Sequence, residues 1–164
     1  STRCRTSLRS APNFNQQNLA NTAWAYASLS ILHRPLLDAI ASSAMPRSSA
    51  FLPQGISNMA WAFSTLSVVF EPLFHALASA AIAKCGQFQP QELATTAWSD
   101  AKLLYLHIPL LDAISAASLR SLPEFGVQSL SNMAWAYATL GWADAPLFAS
   151  ISSESLAKCQ FCLP

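Results

Sequence analysis

Tryptophan recurs at positions 24, 61, 98 and 135, a spacing of 37 residues each time. An indole at fixed intervals can stack on unpaired nucleobases, as aromatic platforms do along single strands. It can equally fill the space between packed helices as a large hydrophobe. The flanking alanines and the strict recurrence predict the second role, with Trp24, Trp61, Trp98 and Trp135 as core between repeats. Three residues before each Trp stands Asn21, Asn58, Thr95 or Asn132. Such a column can contact one base per repeat, or can tie neighbouring repeats together as an amide ladder, since buried amides demand partners. Two further columns vary: Asn18, Gly55, Glu92 and Ser129, and Thr22, Met59, Thr96 and Met133. A code of one base per repeat needs an invariant scaffold carrying a few variable side chains that face a groove. These residues are therefore candidate base contacts, with ordinary drift at solvated positions as the competing account.

A basic residue closes the second helical segment of every copy, at Arg9, Arg47, Lys84, Arg120 and Lys158. One phosphate contact per repeat would use them so. Complementing the negative end of a helix dipole would also place them there. Gln17, Gln54, Gln91 and Gln128 fall in the first turn of the first helix, where capping is the simple expectation. Other chemistry is sparse. His33 and His107 share a column with Phe70 and Asp144, His75 stands apart, and none has metal-ligand spacing. Cys159 and Cys162 form a lone CxxC, and a zinc site would need a second pair. Cys85 lies 74 residues before Cys159 and belongs to the repeat pattern. With four Gly in the chain, a phosphate-cradling glycine loop is not expected. The reading assigns no catalytic set, no metal and no cofactor, so the chain is expected not to be an enzyme.

The elements that would position these residues follow from the period. Phe (14, 51, 88, 125), Gln, Ala (23, 60, 97, 134), Trp, Leu (29, 66, 103, 140) and a Pro-Leu pair (from 35, 72, 109, 146) are identical in all four copies. Such a period marks a repeat array. Copies one and three share LHRPLLDAI (32–40) and LHIPLLDAI (106–114), while copies two and four share SNMAWAF (57–63) and SNMAWAY (131–137). A two-repeat unit of 74 residues has been duplicated. The repeats run 14–50, 51–87, 88–124 and 125–161, with 1–13 as the tail of a preceding repeat and 162–164 as a truncated end. SLRSAPNF (7–14) matches SLRSLPEF (118–125) three periods later, and the chain has no initiator Met. It reads as a piece of a longer array, with any targeting peptide or catalytic domain outside it.

Each repeat reads as two helices, in copy one from about Gln16 to Ser30 and from Pro35 to about Met45. Leu19, Ala23, Tyr26 and Leu29 form the expected buried stripe of the first helix, and Leu36, Leu37 and Ile40 that of the second. Pro12, Pro53, Pro90 and Pro123 are expected to punctuate the linkers. A single pair cannot bury its own face, so neighbours must stack. The expected fold is all-α, a right-handed α-solenoid of tandem 37-residue helical hairpins. Composition agrees with a folded domain: 164 residues, 52% hydrophobic and only 10% charged. A net charge of +1 argues against a densely basic nucleic-acid binder. No apolar run approaches the ~18–20 residues that a membrane span needs.

The phrase LANTAWAYASL (19–29) followed by PLLDAI (35–40) resembles the tandem repeats of organellar RNA-binding proteins, the octotricopeptide and heptatricopeptide families. It is similar also to repeats of FAST-kinase-like, RAP-domain proteins and of kinetoplastid RNA-editing substrate-binding complex subunits. The resemblance covers about residues 12–161, and the period of 37 fits the heptatricopeptide type best. It implies RNA binding by a concave face, in RNA processing, mRNA stability or translation. It implies the mitochondrial matrix, with the plastid stroma as the alternative. Single-stranded RNA and other ribonucleoprotein subunits are the implied partners, with no membrane and no small-molecule substrate. No RAP domain is visible, so a nuclease-like role does not carry over. The near-neutral charge favours the other reading, a protein-interaction scaffold of the HEAT or armadillo kind.

Overall fold

The computed structural model describes residues 14–160. The expected tail repeat 1–13 with Arg9 and Pro12, and the truncated end with Cys162 of the CxxC, lie outside the described residues. Among the described residues eight α-helices follow one another: α1 Gln16–Ser28, α2 Arg34–Ala44, α3 Pro53–Thr65, α4 Glu71–Lys84, α5 Pro90–Lys102, α6 Ile108–Ser121, α7 Val127–Thr139 and α8 Ala145–Gln160. Short 3-10 turns occupy 45–50, 85–87 and 122–124. No strand occurs among the described residues. The described residues are all-helical apart from turns and connections, as the alanine- and leucine-rich composition expects.

Local chemistry explains each boundary. The Asn15 Oδ1 accepts the Asn18 N–H at 2.8 Å and starts α1. The column of His33, Phe70, His107 and Asp144 turns out to be the N-cap of the even-numbered helices. His33 Nδ1 accepts from the Leu36 N–H at 3.1 Å, His107 Nδ1 from Leu110 at 3.2 Å, and Asp144 Oδ1 from Leu147 at 2.9 Å. Phe70 supplies no side-chain cap. Pro53 and Pro90 are the first residues of α3 and α5 rather than linker punctuation, a position where the missing N–H is harmless. Pro123 lies in the 122–124 turn.

A column that the repeat reading overlooked ends every odd-numbered helix. Ser30, Ser67 and Leu104 have φ of 54°, and Gly141 has φ of 67°. The N–H of this residue bonds back three residues, and the next N–H bonds back five, as in Val68 to the Phe63 carbonyl at 2.9 Å. That is the Schellman arrangement, in which a left-handed residue satisfies the last carbonyls. Only the fourth copy uses glycine there. Gly141 was the available signal, hidden because three copies accept the strain.

The odd-numbered helices α1, α3, α5 and α7 pack successively on one another, and this is the densest packing in the molecule. Each also packs on the even-numbered helix that follows it, and α4 packs on both α2 and α6. The odd-numbered helices bury many small residues, among them Ala20, Ala23, Ala27, Ala60, Ala97 and Ser64. The buried stripe runs Leu19, Ala23, Ala27 in α1 but Ile56, Met59, Phe63 in α3 and Leu130, Met133, Tyr137 in α7. Leu29, expected in the stripe, is 71% exposed beyond the end of α1. Tyr137 donates to the Leu111 carbonyl of α6 at 2.6 Å, tying one hairpin to the one before it. Phe51, Phe88 and Phe125 are buried at the entry to their hairpins.

In α5 the corresponding stripe is Leu93, Thr96 and Asp100. Asp100 is buried, and its Oδ2 has no hydrogen-bond partner. Burial pushes the Asp100 carboxyl well above the usual carboxylate range. Tyr105, whose N–H bonds the Asp100 carbonyl at 2.8 Å, is raised by burial and then by the charges of Asp100 and Glu71.

Two outcomes follow from the fold. Leu104→Gly should raise stability by roughly 0.5–1 kcal/mol in urea unfolding, because the left-handed penalty of a non-glycine residue exceeds the entropy that glycine costs. A loss of stability would mean that Leu104 contributes packing despite its exposure. Asp100→Phe, copying the residue of the equivalent position 63, should raise stability at pH 7 by about 1–3 kcal/mol, the cost of a buried unsatisfied group. The sign with pH is fixed. An unfolded Asp titrates near about 3.9, and the folded one holds its proton to higher pH. The native protein therefore loses stability as pH rises above that value. Thermal melts at pH 3.5 and 7 should show the advantage of the variant growing with pH, and an advantage equal at both would contradict the buried acid.

Candidate nucleic-acid interface

The tryptophans are not fully buried between repeats, although Trp61 packs against the edge of the hydrophobic core. Trp24 and Trp135 are 47% and 46% exposed, and Trp61 and Trp98 are half-buried. The residue before each of the first three tryptophans, Ala23, Ala60 and Ala97, is the buried one instead. The rings are displaced to the surface and contact each other there. Trp24 and Trp61 have ring centroids 6.2 Å apart at 32°, and Trp98 and Trp135 have centroids 6.2 Å apart at 36°. Among the described residues no ring contact joins Trp61 to Trp98. The Lys102 ammonium lies 4.9 Å from the Trp98 ring centroid.

Two large cavities open on the same surface. One of about 500 Å³ lies between the N-terminal halves of α1 and α3, lined by Gln17, Asn21, Phe51, Gln54, Gly55 and Asn58 among others. One of about 820 Å³ lies between α5 and α7, with Gln91, Thr95, Gln128, Ser129 and Asn132 in its lining, together with Trp61 and Trp98. The glutamines were expected to cap their helices. They are exposed, make no cap bond among the described residues, and line these cavities instead. Likewise no inter-repeat bond joins Asn21, Asn58 or Asn132 among the described residues, so their amides are not engaged in a ladder.

The structure separates the candidate base contacts. Asn21, Asn58, Thr95, Ser129 and Asn132 come together in the cavities. Asn18 is exposed beside them. Met59 and Met133 are completely buried, and Thr96 is 3% exposed, so this column faces the hydrophobic core and cannot read a base. Its first member, Thr22, is half-buried with its hydroxyl donating to the Asn18 carbonyl at 2.7 Å. The reason is angular: residues 19, 22 and 26 lie on one face of a helix, and their equivalents in α3, α5 and α7 are all buried. Glu92 is also reassigned. Its Oε2 accepts the Gln89 N–H at 2.8 Å in a capping box that starts α5. Gly55 has no side chain to offer, and a Cβ there would stand 3.0 Å from the Phe51 Cδ1.

The phosphate candidates change role in the same way. Arg47 lies in the 45–50 turn, past the end of α2, and its Nη1 donates to the Phe14 carbonyl at 2.8 Å. Lys84 Nζ donates to the carbonyls of Ser49 at 2.7 Å and Phe51 at 2.5 Å. Lys158 Nζ donates to the Pro123 carbonyl at 3.2 Å and pairs with Glu154 at 3.0 Å. Each cation clasps the end of its repeat to the backbone at, or one or two residues before, the beginning of that repeat, 33–35 residues earlier. Helix-dipole complementation accompanies this for Lys84 and Lys158, which lie in last turns. Arg120 alone is exposed without a donated hydrogen bond among the described residues. Its charge faces Cys85, whose thiol burial pushes up to about 11 against the lowering effect of Arg120.

Elsewhere, His75 meets Tyr105 and His107 edge-on, at centroid distances of 6.2 and 5.6 Å. No group of three or more metal-ligating side chains occurs among the described residues. No helix among them is long and apolar enough to cross a membrane. What the surface can do is stack rings on indoles and exchange hydrogen bonds with amides, under little net charge.

The family model described as RNA-editing substrate-binding complex 6 protein matches residues 1–145 of the chain. Comparison with the curated proteins gives no match.

The clasp generates a measurable outcome. Lys84→Met keeps the aliphatic stem and removes two charge-assisted bonds, and should lower stability by about 1–3 kcal/mol in urea unfolding. An unchanged unfolding midpoint would return Lys84 to the list of residues available for a ligand.

Proposed function

The chain belongs to the RNA-editing substrate-binding complex 6 protein family, and on that premise we propose that it is a non-catalytic, RNA-binding helical-repeat module. It contributes to organellar RNA processing, within a ribonucleoprotein that contains other subunits. Its compartment is the mitochondrial matrix, the plastid stroma being the alternative, and imaging of the tagged full-length protein tests this. The architecture behind the reading is a right-handed α-solenoid of 37-residue hairpins, supported by the successive stacking of α1, α3, α5 and α7.

One observation carries the RNA reading: the odd-numbered helices expose indoles and unengaged amides along a single surface. Stacking and base-edge hydrogen bonds are how unpaired RNA is recognised. The groove carries few cations. Lys102 stands over Trp98, while Arg47, Lys84 and Lys158 are engaged with carbonyls. Binding therefore draws on base contacts more than on phosphate neutralisation.

A specific observation favours the scaffold reading as second. The turns joining odd to even helices expose Leu29, Ile31, Leu32, Val69, Leu104 and Leu106. An apolar edge of that kind fits a protein partner.

Fluorescence anisotropy with mixed-sequence single-stranded RNA should give a shallow salt dependence. A slope of log K against log salt of magnitude under about 2 corresponds to fewer than three phosphate contacts at about 0.7 each. A slope above about 4 would place binding on a basic surface away from the indoles. No binding at low salt, with a protein partner lost when Leu32 and Leu106 are changed to Ser, would favour the scaffold.

A further inference from the structure

The two large cavities are the same cavity repeated at the longer period. Nine lining positions of the α1–α3 cavity recur 74 residues later in the α5–α7 cavity. Gln17 and Gln54 correspond to Gln91 and Gln128, and Asn21 and Asn58 to Thr95 and Asn132. The tryptophan contacts obey that period as well. Each 74-residue unit holds one indole pair, and the break between Trp61 and Trp98 falls at the boundary between units. The α5–α7 cavity opens against this break and takes both indoles into its lining. The α1–α3 cavity closes on Ala20 and Phe51 instead, and no preceding indole reaches it among the described residues.

We propose that the α5–α7 cavity is a site for a single unpaired nucleobase, stacked at the interruption of the tryptophan ladder between Trp61 and Trp98. The proposal rests on the RNA-binding reading and narrows it from a groove to a pocket. A planar, weakly polar ring suits the flanking indoles, because base–aromatic stacking tolerates every base. The edge of the ring meets Gln91, Gln128 and Asn132, whose amides each offer a donor and an acceptor. The volume of about 820 Å³ is ample for one nucleotide. Lys102 stands beside the stack, where it can meet the phosphate of the held nucleotide. Recognition thus has one ring site per two-repeat unit wherever a preceding unit supplies an indole, and not one per hairpin.

The test compares two strands of eight units by fluorescence anisotropy. One is mixed-sequence RNA. The other keeps the phosphates but replaces every nucleoside by a tetrahydrofuran spacer. The RNA should bind roughly tenfold or more tighter than the spacer strand, the range for one stacked base. Trp98→Leu should erase most of that difference. Because Trp98 also contacts Trp135, the exposed pair Gln91→Ala and Gln128→Ala is tested in parallel. This double variant should keep the melting temperature and lose about fivefold in RNA affinity, with the spacer strand unaffected. Equal binding of RNA and spacer would overturn the base site while leaving RNA binding in place. RNA affinity unchanged in the glutamine variant would also overturn it. Failure of both strands to bind would instead defeat the RNA reading itself.

Discussion

Close approach of the odd-numbered helices governs the molecule. Backbones come together most closely where side chains are small, and the buried residues of these helices include Ala20, Ala23, Ala27, Ala60, Ser64 and Ala97. The arrangement excludes anything large from between the helices. Leucine, methionine and phenylalanine are buried on the core side, while the tryptophans stay wholly or partly at the surface. An exposed indole row is thus a by-product of tight stacking. The hydroxyls admitted among the small residues are satisfied locally, as where Ser64 Oγ donates to the Trp61 carbonyl at 3.0 Å and Ser99 Oγ to Thr95 at 2.7 Å. Bonds of this type compete mildly with the helix rather than with packing.

Helix number, helix limits and the two-repeat duplication were legible in the sequence because they depend on spacing alone. α1 ends two residues before its expected limit, and α2 begins one residue before and ends one residue before. The face that each column presents was not legible. A repeat period says which residues are equivalent, not which way they point. Trp24 adjoins the fully buried Ala23, and one residue turns a side chain by about 100° around the helix. Met59 and Thr22 share a column, so polar and apolar occupants blurred the assignment until burial separated them. The basic column misled for another reason: its cations are engaged with backbone carbonyls, which leave no trace in a sequence.

The third copy illustrates the confusion between difference and function. Glu92, Thr95 and Asp100 set it apart in sequence. Glu92 caps α5, Thr95 lines a cavity, and Asp100 is buried in the stripe that other copies fill with Tyr or Phe. Three departures in one helix therefore belong to three separate physical settings, of which only one lines the cavity proposed as a base site. The cavity site was missed for a complementary reason. It needs residues from three consecutive hairpins, and no single repeat contains its outline.

The clasps made by Arg47, Lys84 and Lys158 each span 33–35 residues. The Tyr137 bond to the carbonyl of Leu111, which joins one hairpin to the one before it, spans 26. Closing a loop costs entropy that grows only with the logarithm of its length, and here all these loops have nearly one length. Assembly therefore meets the same modest obstacle at each hairpin, and no distant ends have to find each other. A chain built this way can begin to fold at any hairpin, and lengthening it by further hairpins adds stages without adding a slower step.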